Sequence, residues 1–176
     1  KALISAGAEI NPRDLNGYTP LLRALYLGRK DMARMLLEAG ADPFIENQFG
    51  ETALHLAAKQ GDAWLCQELL KREPARLDQR DKSGWTALHR AVDKGRMDCV
   101  RLLLGKKADP NLATESGLVP LHKACAKYPD IARQLLDHGA RVDLVDKRGH
   151  GALYWAAGEK DMDMLERMRK EGARGE

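Results

Sequence analysis

The side chains in this sequence that could do chemistry are three regularly placed histidines, three cysteines and a scatter of carboxylates. His55, His89 and His122 lie 34 and 33 residues apart. Metal-binding histidine pairs stand at i, i+4 on one helix, so this spacing assigns no metal ligand. Cys66, Cys99 and Cys125 are odd in number and far apart, and no histidine is next to any of them. They fit neither a disulfide framework nor a CxxC site. Each falls at an apolar or small-residue position of a helical pattern, where cysteine packs as a small hydrophobe. The chain has no G-x-S-x-G elbow, P-loop, GxGxxG turn or HExxH helix. Its carboxylates are scattered over positions expected to face water. No catalytic residue, metal or cofactor is therefore assigned, no small-molecule substrate is implied, and the chain reads as something other than an enzyme.

The elements that carry these residues form a repeat, the feature to seek first in any chain. Gly17, Gly50, Gly84, Gly117 and Gly149 recur every 32 to 34 residues. Two positions after each comes a block: Thr19-Pro20-Leu21-Leu22, Thr52-Ala53-Leu54-His55, Thr86-Ala87-Leu88-His89, Val119-Pro120-Leu121-His122 and Gly151-Ala152-Leu153-Tyr154. An apolar pair follows: Leu36-Leu37, Leu69-Leu70, Leu103-Leu104 and, one residue early, Leu135-Leu136. Where a block begins with threonine that residue is suited to cap a helix, and proline, at Pro20 and Pro120, to occupy its first turn. Small residues at Ala57-Ala58, Ala91 and Ala124-Cys125 allow close packing of first helices. Gly40 and Gly139 are placed to end second helices in the left-handed region.

This pattern resembles the ankyrin repeat family, whose block is G-x-TPLH-x-AA with a later LL-x-x-GA-D. The resemblance covers nearly the whole chain and implies an all-α solenoid of helix-turn-helix units with β-hairpin fingers. Repeats fall at about 14–46, 47–80, 81–113, 114–145 and 146–176 of a single ankyrin-repeat domain over 1–176, with 1–13 as the tail of a preceding repeat. No such unit buries its apolar face alone, so neighbours must stack. The resemblance also implies that each block histidine hydrogen-bonds backbone between adjacent repeats. Asn111 matches the hairpin asparagine that hydroxylases modify in some ankyrin repeats, beside the simpler reading that it stabilises its own turn. The pattern fails at several points. Leu22 and Tyr154 replace the histidine, Gly151 replaces threonine, and Arg169 replaces a leucine where a terminal repeat meets water. The turns at 73–76 and 127–130 lack glycine and differ in length by one residue.

Composition narrows the setting. With 44% hydrophobic and 31% charged residues in 176, the chain is ordinary for a folded globular protein. No apolar run is long enough to span a membrane, and no signal peptide is present, so membrane insertion is not expected. Reduced cysteines favour a cytoplasmic or nuclear setting. The chain starts at Lys1 within a repeat pattern and reads as a piece of a longer protein.

What varies in this family is the finger tips and the exposed side of the first helices, which together make a concave face. Here that face collects Tyr18, Tyr26, Phe49, Trp85, Arg90, Lys94, Leu118, Lys123, Lys127 and Trp155. Tyr18, Phe49 and Trp85 read as three large rings at one repeat position, facing water. Over the wider set of variable positions, which includes Glu159 and Lys160, ten basic residues outnumber four acidic ones, against a net charge of +3 for the chain. Rings amid Arg and Lys are what binding hot spots favour. The expected partner is a protein, as peptide or folded domain, of apolar and acidic character. The surplus is too dilute for nucleic acid. The alternative is a substrate-recognition module of a larger enzyme such as a kinase, a ubiquitin ligase or a bacterial effector.

Overall fold

The computed structural model describes residues 9–156 and 162–172. Residues 1–8, part of the expected preceding-repeat tail, and Glu159 and Lys160 lie outside them. Ten α-helices follow one another in pairs: α1 (Pro20–Tyr26) and α2 (Lys30–Glu38), α3 (Ala53–Gln60) and α4 (Ala63–Arg72), α5 (Ala87–Asp93) and α6 (Met97–Gly105), α7 (Pro120–Cys125) and α8 (Pro129–Asp137), α9 (Ala152–Trp155) and α10 (Met162–Gly172). First helices stack in one row, α1 on α3, α3 on α5, α5 on α7 and α7 on α9, and second helices stack behind them, α4 on α6 and α6 on α8.

Local chemistry sets these ends. The Thr19 hydroxyl accepts from Leu22 N at 3.3 Å and the Thr86 hydroxyl from His89 N at 3.4 Å. Pro20 and Pro120 open their helices, where a missing N–H costs nothing. Gly40 and Gly139 take φ of 92° and 84° after second helices, and Lys107 adopts 73° at the matching place after α6. The lysine thus occupies a conformation that L side chains disfavour. The short turn at 127–130 is solved differently. Pro129 starts α8, and Tyr128 before it stands at φ −137°, ψ 77°, outside the helical region. Its ring lies where a Cβ on Gly95 would be, 2.6 Å from Cε1. The longer turn becomes a 3-10 helix over Pro74–Arg76.

The core runs continuously through the rows. Leu21, Leu54, Leu88 and Leu121 of the blocks are buried, as are the four apolar pairs and the close-packed Ala57, Ala58, Ala91 and Ala124. All three cysteines are buried, with the Cys125 thiol 3.6 Å from Met168 Sδ. In the last block only Ala152 is buried. Leu153 and Tyr154 are 45% and 58% exposed.

Among the described residues there is no strand, only an isolated antiparallel bridge between Val145 and Gly151. Each finger is a turn closed by a backbone bond such as Asp81 N to Trp85 O at 2.8 Å. It is held from inside by an acceptor at its base. Asp14, Asn47, Asp81 and Asp146 each take the backbone N–H groups two and four residues on. A single bond then ties each tip to the next: Gln48 N to Asn16 O, Lys82 N to Phe49 O, Glu115 N to Ser83 O and Lys147 N to Ser116 O. One bond per repeat makes a stack of turns, not a sheet ladder.

Candidate interaction surface

The histidines join repeats. His55 Nδ1 accepts from Thr52 N at 3.2 Å while Nε2 donates to Trp85 O at 3.1 Å in the next repeat. His89 does the same between Thr86 and Leu118 O, and His122 between Val119 and Leu144 O. Only the neutral ring can accept at one nitrogen and donate at the other. Burial pushes all three below the ordinary imidazole range, His89 to about 4, despite its bond to Leu118 O and the charge of Asp81. The expected backbone-bridging role is what the geometry shows. Among the described residues no group of three or more His, Cys, Asp or Glu side chains is placed to hold a metal ion.

On the side of the first helices, rings and cations are interleaved. Trp85 is half-buried between the Arg90 guanidinium, 4.8 Å from the ring centroid, and Lys123 Nζ at 5.7 Å. Arg90 in turn bonds Asp81 at 2.6 Å and Glu51 at 3.1 Å, both buried carboxylates. Lys94 and Lys123 share Asp93, at 3.1 and 3.6 Å. Burial works to raise the Asp93 carboxyl, but bonding and charge from these lysines outweigh it and hold it below the usual range. Tyr26 and Phe49 are about half exposed, with Lys59 Nζ 5.6 Å from the Tyr26 ring. Lys127 is exposed beside Tyr128, and Leu118 is half-buried.

Several expected features need correction. Tyr18 does not face water. It is 7% exposed, edge-on to Tyr26 at 5.5 Å with Arg23 over its ring. Nor do Tyr18, Phe49 and Trp85 form a line. Tyr18 and Trp85 follow their glycines, where the backbone N–H is drawn back to the base acceptor and the side chain turns toward the first helix. Phe49 precedes its glycine and stands at the tip. Arg90 is not a free cation but the centre of a buried ion network, which the recurring D-x-x-G at the finger base could have signalled through Asp81. Trp155 is half-buried against the core, its ring over His122 at 6.4 Å.

Asn111 acts as a joint. Its Nδ2 donates to Gly139 O at 3.0 Å and its Oδ1 accepts from Arg141 N at 2.8 Å, tying its finger to the next. Asn11 and Asp78 accept in the same way from Asp42 N and Asp109 N. The Asn111 side chain thus ties its loop to the next repeat and does not close its own turn, where its backbone N–H donates to Asp109 Oδ1 at 2.8 Å. On the opposite side, Trp64 is about half exposed with the Arg34 guanidinium over its ring, as its second-helix position implies.

Comparison with known proteins agrees with this architecture. A family profile described as ankyrin repeats (3 copies) matches residues 36–114 and 102–174, and one described as ankyrin repeats (many copies) matches 3–57. The mouse B-cell lymphoma 3 protein homolog is 34% identical over 88% of this chain and 36% of its own length. Mouse inversin is 33% identical over 96% of the chain, which spans 16% of that protein. Human SH3 and multiple ankyrin repeat domains protein 2 is 35% identical over 82% of the chain, which spans 8% of it. The chain thus corresponds to about a third or less of each of these relatives.

Proposed function

We propose, because this chain belongs to the ankyrin-repeat family of protein-interaction modules, that it is a non-enzymatic scaffold gripping a partner protein on its concave face. One observation carries the reading: Trp85 is half-buried with two cations within 6 Å of its ring centroid while Tyr26 and Phe49 stand about half exposed. A fixed ring loses little freedom on binding, which is what makes aromatic anchors efficient. The rings receive apolar side chains, and Leu118 adds to that surface. Lys94, Lys123 and Lys127 face acidic ones, although Asp93 already answers two of these three. Trp155 contributes its exposed edge.

Among the described residues no helix is long and apolar enough to cross a bilayer. Quantitative affinity capture tests the proposal. Three baits are compared: the native chain, a Phe49→Ala/Trp85→Ala variant, and an Arg72→Glu/Arg101→Glu variant on the second helices. The expected partner stays with the native and second-helix baits and is lost from the ring variant. Trp85→Ala alone weakens it by about 2 kcal/mol, the scale of a central aromatic hot spot. Loss from the second-helix bait alone refutes the concave assignment.

A further inference from the structure

We propose a second contact surface: a cleft along the finger arms of the first three repeats that receives an acidic peptide segment, its carboxylates answered by Arg13, Arg76 and Lys82. The cleft has a volume of about 550 Å³ and runs past Phe44, Ile45 and Glu46 toward Gln48. Its lining includes none of the rings and lysines named for the concave face, although Gln48 and Lys82 stand at the finger tips beside Phe49.

Its arginines are engaged differently from Arg23 and Arg90 of the concave face, where Lys127, like Lys82, pairs with no acid among the described residues. There Arg90 is neutralised by two carboxylates, Lys94 and Lys123 share a third, and Arg23 pairs with Asp14. In the cleft, Arg13 Nη2 donates to the Glu46 backbone carbonyl at 2.7 Å. Arg76 Nη1 donates to the Gln79 amide oxygen at 3.2 Å, its guanidinium 4.7 Å from the Phe44 ring centroid. Among the described residues Lys82 pairs with no acid. Bonds to neutral oxygens orient a guanidinium without cancelling its charge, so it can still meet a carboxylate. The lone acid of the lining, Glu46, is occupied by Gln79 Nε2 at 2.6 Å. Three cations against one anion leave an uncancelled positive field, which attracts and aligns an acidic partner.

The shape selects the class of ligand. Arg13 stands in the loop before α1, Arg76 and Lys82 share the connection between α4 and α5, and half-buried Phe44 and Ile45 belong to the loop in between. Carboxylates spaced along an extended chain, with apolar side chains between, match that layout better than a single phosphate does.

A short dye-labelled peptide rich in glutamate with interspersed leucines is the probe, read by fluorescence anisotropy against the whole chain. Arg76→Glu/Lys82→Glu should weaken binding about tenfold or more, or ~1.4 kcal/mol. Lys94→Glu/Lys127→Glu, an equal charge change on the concave face, should alter it less than about threefold, or ~0.6 kcal/mol. Arg13→Gln/Lys82→Gln provides the same comparison without acid in the cleft, and thermal melts confirm that each variant is folded. Equal loss from both reversals means the peptide reads net charge. Loss from the concave pair alone moves acid binding to that face and leaves the scaffold proposal standing. Either result, no binding by the native chain, or equally tight binding of an oligothymidylate that the cleft variants abolish, overturns the cleft assignment.

Discussion

The third and last repeats carry nearly the same block, Thr86-Ala87-Leu88-His89 and Gly151-Ala152-Leu153-Tyr154, yet they make different structures from it. Leu88 is 1% exposed and Leu153 45%. His89 reaches forward to Leu118 O and is buried, while Tyr154 stacks on His150 of its own finger at 3.6 Å and stays mostly in water. The block is therefore not a core by itself. Leu88 is core on a helix with α3 and α7 stacked against it, whereas Leu153 lies on a short helix with only α7 of the first-helix row against it.

The sharpest way to break this comparison is to truncate both leucines. Leu88→Ala should cost roughly 2–5 kcal/mol, the range for a leucine removed from a close-packed site. Leu153→Ala should cost less than about 1 kcal/mol, as for partly exposed positions. Thermal or urea unfolding of the two variants checks the pair. Equal losses would mean that burial in the third repeat owes nothing to its neighbours.

Acid should act on the third block and not on the last, which has no histidine in its fourth place. His89 is held at about 4 in the folded chain against an ordinary 6.5, so the unfolded chain binds the proton more readily. The stabilisation from its neutral bridge is then complete above pH 6.5 and lost as pH falls toward 4. The loss at the lower end is on the order of 1–3 kcal/mol. His55 and His122 shift in the same direction and steepen the fall. Unfolding free energies measured across this window should decline with acid, and His89→Gln should flatten part of the slope. A flat profile for the native chain would contradict the bridging role.

The smallest expected effect lies at the end of the same third repeat. Lys107 sits at φ 73° where Gly40 and Gly139 serve elsewhere. Lys107→Gly should stabilise by about 0.5 kcal/mol, relief of the left-handed strain outweighing the entropy that glycine adds to the unfolded chain. Gly139→Lys should destabilise, and a melt of each distinguishes the two.

What was legible in the sequence was what neighbouring residues or the repeat period decide. The threonine caps, the proline starts, the buried leucine pairs and the bridging histidines all depend on local chemistry copied from unit to unit. What was not legible depended on pairing between units. Counting positions made Arg90 a free cation, but Glu51 of the preceding repeat and Asp81 of its own finger both claim it. Tyr18 was expected in water because its glycine marks a tip. The Asp14 bond to its N–H instead turns it inward against Tyr26. The acceptors at the finger bases, which hold each turn from inside, were not read either.

The account rests on the concave face being the side that grips a partner. Amide hydrogen exchange, measured on the chain alone and with a captured partner bound, tests that most directly. The account predicts added protection at the finger tips around Phe49 and Trp85 and along α3, α5 and α7, with α4, α6 and α8 unchanged. Protection confined to those second helices, around Trp64 and Arg101, would contradict it.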